Sequence, residues 1–289
     1  MSNPASWRET LKDYKREVYC DYLSCRSFFD GASEASRQHV NWLFILTFPN
    51  GGSTALAKLL LTSPSTVSLT PNAEGQWLIP SMTRARDRWD ENYSLSYRKV
   101  RAVWLDQVRK KTSGPCLVVE KSPPNMVRYD KLLSSFDGMK TDLITFTRDP
   151  YAVCASWHKR YDTDEMISNW SLPCDEGMPE FQRFEHLAEI WLRMARYILA
   201  ARPHARLNLR YEDFTADVPG AAKSLSSEIE MLSDISLEAK VKVKDYPDQK
   251  IINMNDRQIS RLSDEQRAGL TSGLSKDRDT LDALHYQIL

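Results

Sequence analysis

The stretch Leu43-Phe44-Ile45-Leu46-Thr47-Phe48-Pro49-Asn50-Gly51-Gly52-Ser53-Thr54-Ala55-Leu56 decides the fold of this chain. An apolar run followed by Gly-Gly-Ser-Thr and a second apolar run predicts a buried strand, a tight loop and a helix. This order of elements places free backbone N–H groups and a helix N-terminus around an anion. We therefore expect a phosphate-binding loop made by Asn50, Gly51, Gly52, Ser53, Thr54 and Ala55.

The loop is not a Walker A loop, which carries a lysine directly before its Ser or Thr. Gly52 holds that position here. Glycines let the backbone approach a phosphate closely, and Ser53 and Thr54 add hydroxyl donors. We therefore expect phosphate to be bound without hydrolysis of a magnesium nucleotide, and we predict no metal site.

A second phosphate signal is the stretch Leu143-Ile144-Thr145-Phe146-Thr147-Arg148-Asp149-Pro150-Tyr151-Ala152-Val153-Cys154-Ala155-Ser156. It predicts a buried strand that leads to Arg148 and a helix that starts at Pro150 and carries Ser156. A guanidinium at a strand end and a hydroxyl two turns into the next helix are able to hold one phosphate together. Arg148 and Ser156 are therefore the second candidate phosphate site.

Two further stretches follow predicted strands and complete a set of four motifs. They are Glu120-Lys121-Ser122-Pro123-Pro124 and Arg210-Tyr211-Glu212-Asp213-Phe214. The first is similar to the Glu/Asp-Lys-Ser/Thr-Pro segment of Golgi heparan sulfate sulfotransferases and their bacterial relatives, and the second to the Arg-Tyr-Glu-Asp-Leu segment of bacterial sulfotransferases. In order and spacing, the four motifs resemble the sulfotransferases that use 3′-phosphoadenosine 5′-phosphosulfate (PAPS), over residues 40–289.

The resemblance implies roles for the binding residues. The first loop would hold the 5′-phosphosulfate of PAPS, and Arg148 and Ser156 would hold its 3′-phosphate. Tyr211 would brace the cofactor side, and Lys250 and Asn253 lie where the family closes a C-terminal loop over the cofactor. The spent cofactor would leave as adenosine 3′,5′-bisphosphate.

Three residues are candidates for the reaction itself. In the heparan-modifying relatives, the lysine that matches Lys121 reaches the reaction centre, and a catalytic glutamate occurs at about the spacing of Glu74 from the first loop. A carboxylate near the acceptor is suited to act as a general base. His158, two positions after Ser156, is the rival base.

Asn50 departs from the family, which usually has Lys or Arg there to contact the phosphosulfate. Asparagine donates a hydrogen bond but brings no charge. Three explanations stay open: Lys121 supplies the cation, the enzyme is slow, or the chain has lost activity.

The expected fold is α/β and P-loop-like, with a central, mostly parallel sheet flanked by helices and the site at the carboxyl ends of the strands. We expect residues 1–38 to form an N-terminal helical extension packed on one sulfotransferase domain at 39–289. Strands are predicted at 41–48, 66–69, 116–120, 143–146 and 205–209. Helices are predicted at 53–61, 74–111, 125–136, 150–161, 185–201, 219–231 and 263–284, with a loop or lid at 162–182 and irregular chain at 240–262.

The composition narrows the class of protein. The 39 basic and 39 acidic residues balance, so nothing favours nucleic acid or acidic surfaces in general. The sequence contains neither a signal-peptide pattern nor an apolar run long enough to span a membrane. Its five scattered cysteines fit a reducing compartment, so we expect a cytoplasmic protein.

Together these observations predict a PAPS-dependent sulfotransferase that moves a sulfuryl group to a hydroxyl or amino group of a small, natural-product-like acceptor. As partners we expect that acceptor and no nucleic acid or membrane, in a monomer or homodimer. Two alternatives stay open. A non-catalytic nucleotide-binding relative of the fold is favoured by Asn50, and a P-loop kinase-type phosphotransferase would need the missing Walker lysine and an acidic metal ligand.

Overall fold

The centre of the molecule is a five-stranded parallel sheet, seen in a computed structural model. The residues that the structure describes are 4–29, 39–83, 87–170, 172, 175, 177–237 and 250–289. The strands are β1 Val40–Thr47, β2 Thr66–Ser68, β3 Cys116–Glu120, β4 Thr141–Thr147 and β5 Leu207–Arg210. Their order in the sheet is β2-β3-β1-β4-β5, and every neighbouring pair is parallel. The predicted α/β fold with a mostly parallel central sheet is therefore confirmed.

The position of β1 in the middle of the sheet explains where the functional residues meet. Phe44 of β1 is in register with Glu120 at the end of β3 and with Leu143 of β4. Because all strands run the same way, the residues that follow each strand emerge at one edge of the sheet. The loop after β1, the segment after β3 and the turn after β4 therefore come together.

The side chains of β1 alternate between two hydrophobic cores, one on each face of the sheet. Trp42, Phe44 and Leu46 belong to the first core, and Leu43 and Ile45 belong to the second. The rings of Trp42 and Phe44 stack with their centroids 5.8 Å apart. A parallel strand that is buried on both faces has a continuous apolar sequence, which is why this stretch predicted the fold.

Helices cover both faces of the sheet. They are α1 Pro4–Phe29, α2 Ser53–Leu60, α3 Pro80–Thr83, α4 Tyr97–Arg109, α5 Tyr129–Ser135, α6 Pro150–Arg160, α7 Thr163–Asn169, α8 Glu180–Ala201, α9 Tyr211–Ala216, α10 Val218–Glu228, α11 Asn255–Ile259, α12 Asp264–Leu274 and α13 Arg278–Ala283. Short 3₁₀ helices are Gly75–Leu78, Asp87–Trp89, Pro123–Arg128, Arg202–His204, Glu230–Leu232 and Ser275–Asp277. Among the helices described, none combines the length and the apolar character that crossing a membrane requires.

The segment predicted as a loop or lid at 162–182 differs from the prediction. It contains α7, which buries Met166 and Ile167, and Trp170 directly after the helix is buried as well; residues 171, 173, 174 and 176 of the segment lie outside the described residues. These three positions lie on one side of a helix, so burial of their apolar surface outweighs the loop-forming composition around them. Helix α8 also begins at Glu180, five residues earlier than the predicted start at 185.

Residues 74–111 and residues 240–262 also differ in detail from the prediction. Residues 74–111 are mostly helical, as predicted, but the helical residues are divided among two 3₁₀ helices, α3 and the long helix α4; residues 84–86 lie outside the described residues. Within the stretch expected to be irregular, α11 forms a helix at Asn255–Ile259. Residues 238–249 of that stretch lie outside the described residues.

Helix α1 packs on α4 at the periphery of the domain. Lys99 of α4 lies between two carboxylates of α1, with its Nζ 2.8 Å from Glu17 and 2.5 Å from Asp21. Cys20 and Leu23 of α1 are buried in the first hydrophobic core. Residues 1–3 and 30–38 of the expected extension lie outside the described residues.

Gly52 determines the course of the loop between β1 and α2. Its φ of +86° is in the left-handed region that favours glycine. A Cβ atom at this position would lie 2.4 Å from Cδ2 of Tyr211. The backbone at Gly52 therefore passes directly against the Tyr211 ring, which a side chain would prevent.

We expect Gly52→Ala to lower the free energy of unfolding by about 2–5 kcal/mol, because the left-handed φ costs about 1–2 kcal/mol and the steric overlap about 1–3 kcal/mol. Urea denaturation followed by circular dichroism measures this loss.

Two other glycines serve as matched controls. Gly138 has a φ of +78° with nothing within 4 Å of its Cβ position, so Gly138→Ala should cost only the backbone strain, about 1–2 kcal/mol. Gly114 has open space and no such φ, and Gly114→Ala should change stability by less than about 0.5 kcal/mol. Equal losses at positions 52 and 138 would show that contact with Tyr211 does not limit residue 52.

Candidate functional site

A cavity of about 1070 Å³ opens where β1, β3 and β4 end. The predicted site residues that line it are Asn50, Gly52, Ser53, Thr54, Ala55, Glu74, Lys121, Arg148, Ser156, Tyr211 and Lys250. Three predicted residues, Gly51, His158 and Asn253, are described but do not line it. Within the described ranges, no three or more His, Cys, Asp or Glu side chains are grouped so as to hold a metal ion.

The phosphate loop offers unused backbone donors to this cavity. The N–H of Gly51 donates to the Phe48 carbonyl at 3.1 Å, and the N–H of Ala55 donates to the Gly52 carbonyl at 3.0 Å. The N–H groups of Gly52, Ser53 and Thr54 have no such partner among the described residues. Three donors at the N-terminus of a helix that lines a cavity form a site for an anion.

Asn50 adopts a left-handed backbone with a φ of +55°. Asparagine tolerates this conformation better than most residues that carry a side chain. Its carbonyl accepts a hydrogen bond from Nη1 of Arg148 at 3.2 Å. Asn50 therefore connects the first phosphate site to the second through its backbone, a role that sequence reasoning missed.

Lys121 and Glu74 form a buried ion pair beside the loop. Nζ of Lys121 lies 2.5 Å from Oε1 of Glu74 and 3.3 Å from Oγ1 of Thr54. The Lys121 side chain is 3% exposed and that of Glu74 is 13% exposed, so bulk water screens the pair weakly. The structure thus brings together the two residues that were predicted to act at the reaction centre.

The surroundings of Glu74 favour its ionised form. Burial raises the pKa of the Glu74 carboxyl, but the Lys121 charge and hydrogen bonds together lower it below its usual value. Its Oε2 accepts hydrogen bonds from Nε1 of Trp77 at 2.8 Å and from Nε2 of Gln76 at 3.0 Å. Glu74 is therefore a fixed carboxylate whose Oε1 has a second lone pair in addition to the one that faces Lys121.

A second buried carboxyl group, that of Glu120, positions Glu74 through the backbone of the residue that follows it. Its Oε1 accepts from the N–H of Gly75 at 2.9 Å and from the Ser122 hydroxyl, and its Oε2 accepts from Nδ2 of Asn125 at 2.6 Å. Burial raises the pKa of Glu120 to about 7. Because Gly75 follows Glu74 directly, Glu120 fixes the backbone that carries the candidate base, which is a structural role.

Arg148 is buried at the wall of the cavity, where it contacts Asn50, Asn255 and Tyr211. Its Nε donates to Oδ1 of Asn255 at 2.8 Å, and its guanidinium carbon lies 4.2 Å from the ring centroid of Tyr211. Burial lowers the pKa of the Arg148 guanidinium, although an arginine stays charged at neutral pH. Its buried Nη2 has no hydrogen-bond partner among the described residues, so this end can bind an anion.

Asn255 is a site residue that the sequence did not reveal. Besides accepting from Arg148, it donates through Nδ2 to Oε1 of Glu212 at 2.7 Å. Glu212 also accepts the N–H of Asp149 at 3.0 Å. No local motif surrounds Asn255, and only the folded chain shows that it orients Arg148 from 107 residues away.

The remaining predicted binding residues have different positions. Ser156 lines the cavity, and its hydroxyl donates to the Ala152 carbonyl at 2.8 Å. Lys250 also lines the cavity. Asn253 does not, and its Oδ1 accepts the N–H of Asn255 at 2.8 Å, so its side chain shapes the start of α11.

The structure does not bring His158 to the cavity. Its Nδ1 lies 3.0 Å from Oγ1 of Thr163, and its ring meets the Phe184 ring edge-on with centroids 5.0 Å apart. His158 is two residues after Ser156, or about 200° around a helix with 3.6 residues per turn. It therefore lies on the other side of α6, and Glu74 is the candidate base that the cavity contains.

Three solved sulfotransferase structures are similar to this chain. The sulfotransferase domain of the curacin biosynthetic pathway is 17% identical, with 87% of this chain and 100% of that chain covered and a TM-score of 0.45. The sulfotransferase domain of the Synechococcus PCC 7002 olefin synthase is 18% identical, with 86% and 94% covered and a TM-score of 0.47. A sulfotransferase from Mycobacterium tuberculosis H37Rv is 13% identical, with 91% and 81% covered and a TM-score of 0.46.

No curated protein matches the sequence. The model of the sulfotransferase family, in contrast, matches residues 43–231. This range includes the phosphate loop, Lys121, Arg148, Ser156 and Tyr211, which the fold places around one cavity. Because the match extends over more than half of the sequence, the chain belongs to the sulfotransferase family.

Proposed function

We propose that this sulfotransferase uses PAPS as its donor and transfers the sulfuryl group to a hydroxyl or amino group of a small molecule. The observation that supports this most is the buried guanidinium of Arg148, whose Nη2 has no partner among the described residues and which shares a cavity with the phosphate loop. A buried polar group without its partner costs free energy unless a ligand supplies one. PAPS carries a phosphate at the 3′ position of its ribose and a phosphosulfate at the 5′ position. It would therefore supply anionic partners both to Arg148 and to the phosphate loop.

The residues around the cavity fit the two ends of PAPS. The three free N–H groups at Gly52, Ser53 and Thr54 suit the 5′-phosphosulfate. Arg148 suits the 3′-phosphate, and the Ser156 hydroxyl is able to turn from its own helix carbonyl to the same group.

In this proposal, PAPS supplies the sulfuryl group and the protein supplies charge and alignment. The acceptor oxygen or nitrogen bonds to sulfur while the bond between sulfur and the phosphate oxygen breaks. Glu74 accepts the proton that the acceptor releases. Lys121 and the loop N–H groups stabilise the negative charge on the leaving phosphate, which explains how the site functions with Asn50 in place of a cation.

The Lys121–Glu74 pair connects donor binding to base strength. While Lys121 faces Glu74, its charge lowers the pKa of that carboxyl and weakens it as a base. Lys121 also lies 3.3 Å from the Thr54 hydroxyl, on the loop where the donor phosphate would bind. A phosphate bound there would also attract the Lys121 ammonium, so that Glu74 would be stabilised less by this charge. The pKa of Glu74 would rise, and Glu74 would become a better proton acceptor.

The size of the cavity is consistent with a small acceptor. Pockets for small ligands typically have volumes of about 300–1,000 Å³. A cavity of about 1070 Å³ therefore has room for a nucleotide together with a compact acceptor.

We expect Arg148→Ala to weaken binding of adenosine 3′,5′-bisphosphate at least about tenfold, because a charged phosphate contact contributes about 1.5–3 kcal/mol. Binding of adenosine 5′-monophosphate, which lacks the 3′-phosphate, should change much less. Isothermal titration calorimetry measures both ligands.

The control for charge is Arg278→Ala, since Arg278 is exposed on α13 and does not line the cavity. Arg148→Lys keeps the charge and guards against misfolding of the alanine variant. If Arg148→Ala weakened both nucleotides equally, Arg148 would not hold the 3′-phosphate.

We expect Glu74→Gln to lower kcat by roughly 10²–10⁴-fold, since the amide keeps the shape of the side chain but cannot accept a proton. Affinity for adenosine 3′,5′-bisphosphate should stay nearly unchanged. Turnover is measured by transfer from labelled PAPS, with His158→Ala as the matched control. A near-normal rate for Glu74→Gln together with loss of activity in His158→Ala would show that His158, and not Glu74, is the base.

The pH dependence of kcat/KM separates the same two bases. In the free enzyme, Lys121 and the hydrogen bonds lower the pKa of Glu74 below its usual value, so kcat/KM for PAPS, which reports the free enzyme, should stay level as the pH falls from 7 to about 5. A histidine base would instead protonate near pH 6.5 and lose activity there. Circular dichroism at each pH shows that the fold persists, and a fall centred near pH 6.5 would contradict Glu74.

A further inference from the structure

The proposed function uses Lys121 and Arg148, and the family resemblance assigns Lys250 to the cofactor. Three further cations line the cavity: Arg88, Lys159 and Arg160. Within the described part of the chain, none of the three forms an ion pair. The one acid among the described lining residues is Glu74, which Lys121 already neutralises. The whole chain carries 39 basic and 39 acidic residues, so its charges balance. The surplus of positive charge is therefore local to the cavity and not a property of the whole chain.

Two of these cations lie at the C-terminal end of α6, one helical turn beyond Ser156 of the second phosphate site. Arg148 comes just before Pro150, the first residue of the helix, whereas Lys159 and Arg160 are its last two residues. At a rise of 1.5 Å per residue, the end of the helix is about 15 Å from its start. They follow Ser156 by three and four residues, so they share its side of the helix and face the same cavity.

One aromatic ring packs against the third cation, Arg88, and two further rings continue the cluster beyond that ring. The guanidinium carbon of Arg88 lies 5.3 Å from the ring centroid of Trp89. The Trp89 and Trp170 centroids are 5.2 Å apart, and those of Tyr161 and Trp170 are 6.3 Å apart. All of these residues line the cavity, and Nε of Arg88 is buried without a hydrogen-bond partner among the described residues.

We propose that the acceptor carries an anionic group, a carboxylate, phosphate or sulfate, beside a flat ring body, and that Arg88, Lys159 and Arg160 bind this group. The proposal rests on the proposed function, because that function assigns Lys121 and Arg148 to the donor. Guanidinium groups bind such anions through charge-assisted hydrogen bonds, and the rings offer a stacking surface. The acceptor site thus selects for negative charge before any chemistry occurs.

A matched pair of dyes tests the charge preference without knowledge of the acceptor. 8-Anilinonaphthalene-1-sulfonate is an aromatic anion, and N-phenyl-1-naphthylamine is the same ring system without the sulfonate. In protein saturated with adenosine 3′,5′-bisphosphate, we expect the sulfonate to bind about tenfold more tightly than the neutral dye. Fluorescence titration measures both affinities.

Removal of the two exposed cations then locates the site. Lys159→Gln/Arg160→Gln should weaken the sulfonate dye about tenfold and the neutral dye less than about twofold. The control, Lys223→Gln/Arg278→Gln, removes the same charge from exposed positions away from the cavity and should leave both dyes unchanged. Arg88→Gln is a third variant, with circular dichroism as a check on its fold.

Three results would overturn the proposal: equal affinity of the two dyes for the wild type, no binding of either dye, or an unchanged sulfonate affinity in Lys159→Gln/Arg160→Gln. A parallel loss of adenosine 3′,5′-bisphosphate affinity in that variant would also overturn it, because the two cations would then belong to the donor site. Failure of the wild type to bind adenosine 3′,5′-bisphosphate at all would contradict the proposed function instead. The dye titrations without nucleotide would still decide the charge preference of the cavity.

Discussion

The position of the Tyr211 ring is the constraint on which the rest of the site depends. One edge of the ring leaves no room for a side chain at Gly52, and its face lies under the Arg148 guanidinium. Its hydroxyl donates to the Ile252 carbonyl and accepts the N–H of Met254, both of which line the cavity. One rigid side chain at the end of β5 therefore sets the distance between the loop, the arginine and the C-terminal segment, with little conformational entropy to lose.

The other half of the site is organised by a buried carboxyl group that does not line the cavity. Glu120 is wholly buried, and it fixes Gly75, Ser122 and Asn125 through hydrogen bonds. A buried carboxylate is costly unless donors surround it, so its loss would release Glu74 and Lys121 together. Glu120 thus serves the architecture of the site, and Glu74, which it helps to position, is the carboxylate that we propose for proton transfer.

The sequence predicts the parts of the site that local patterns encode. The Gly-Gly-Ser-Thr loop, Arg148 and Ser156 each follow an apolar strand, and parallel strands deliver such residues to one edge. The pairing of Lys121 with Glu74 joins residues 47 positions apart, and only tertiary structure shows that they touch. His158 was a plausible base by its proximity to Ser156 in sequence, but helix geometry turns it away from the cavity.

The left-handed backbone of Asn50 has an evolutionary consequence. A lysine at this position would have to adopt the same φ of +55° at a cost of about 1–2 kcal/mol, and would place a second ammonium on the loop that Lys121 already reaches. Positions 50 and 121 are therefore epistatic, because the value of a cation at one depends on the residue at the other. A change from asparagine to lysine at position 50 would therefore have an effect that depends on Lys121, because both ammonium groups would reach the same loop.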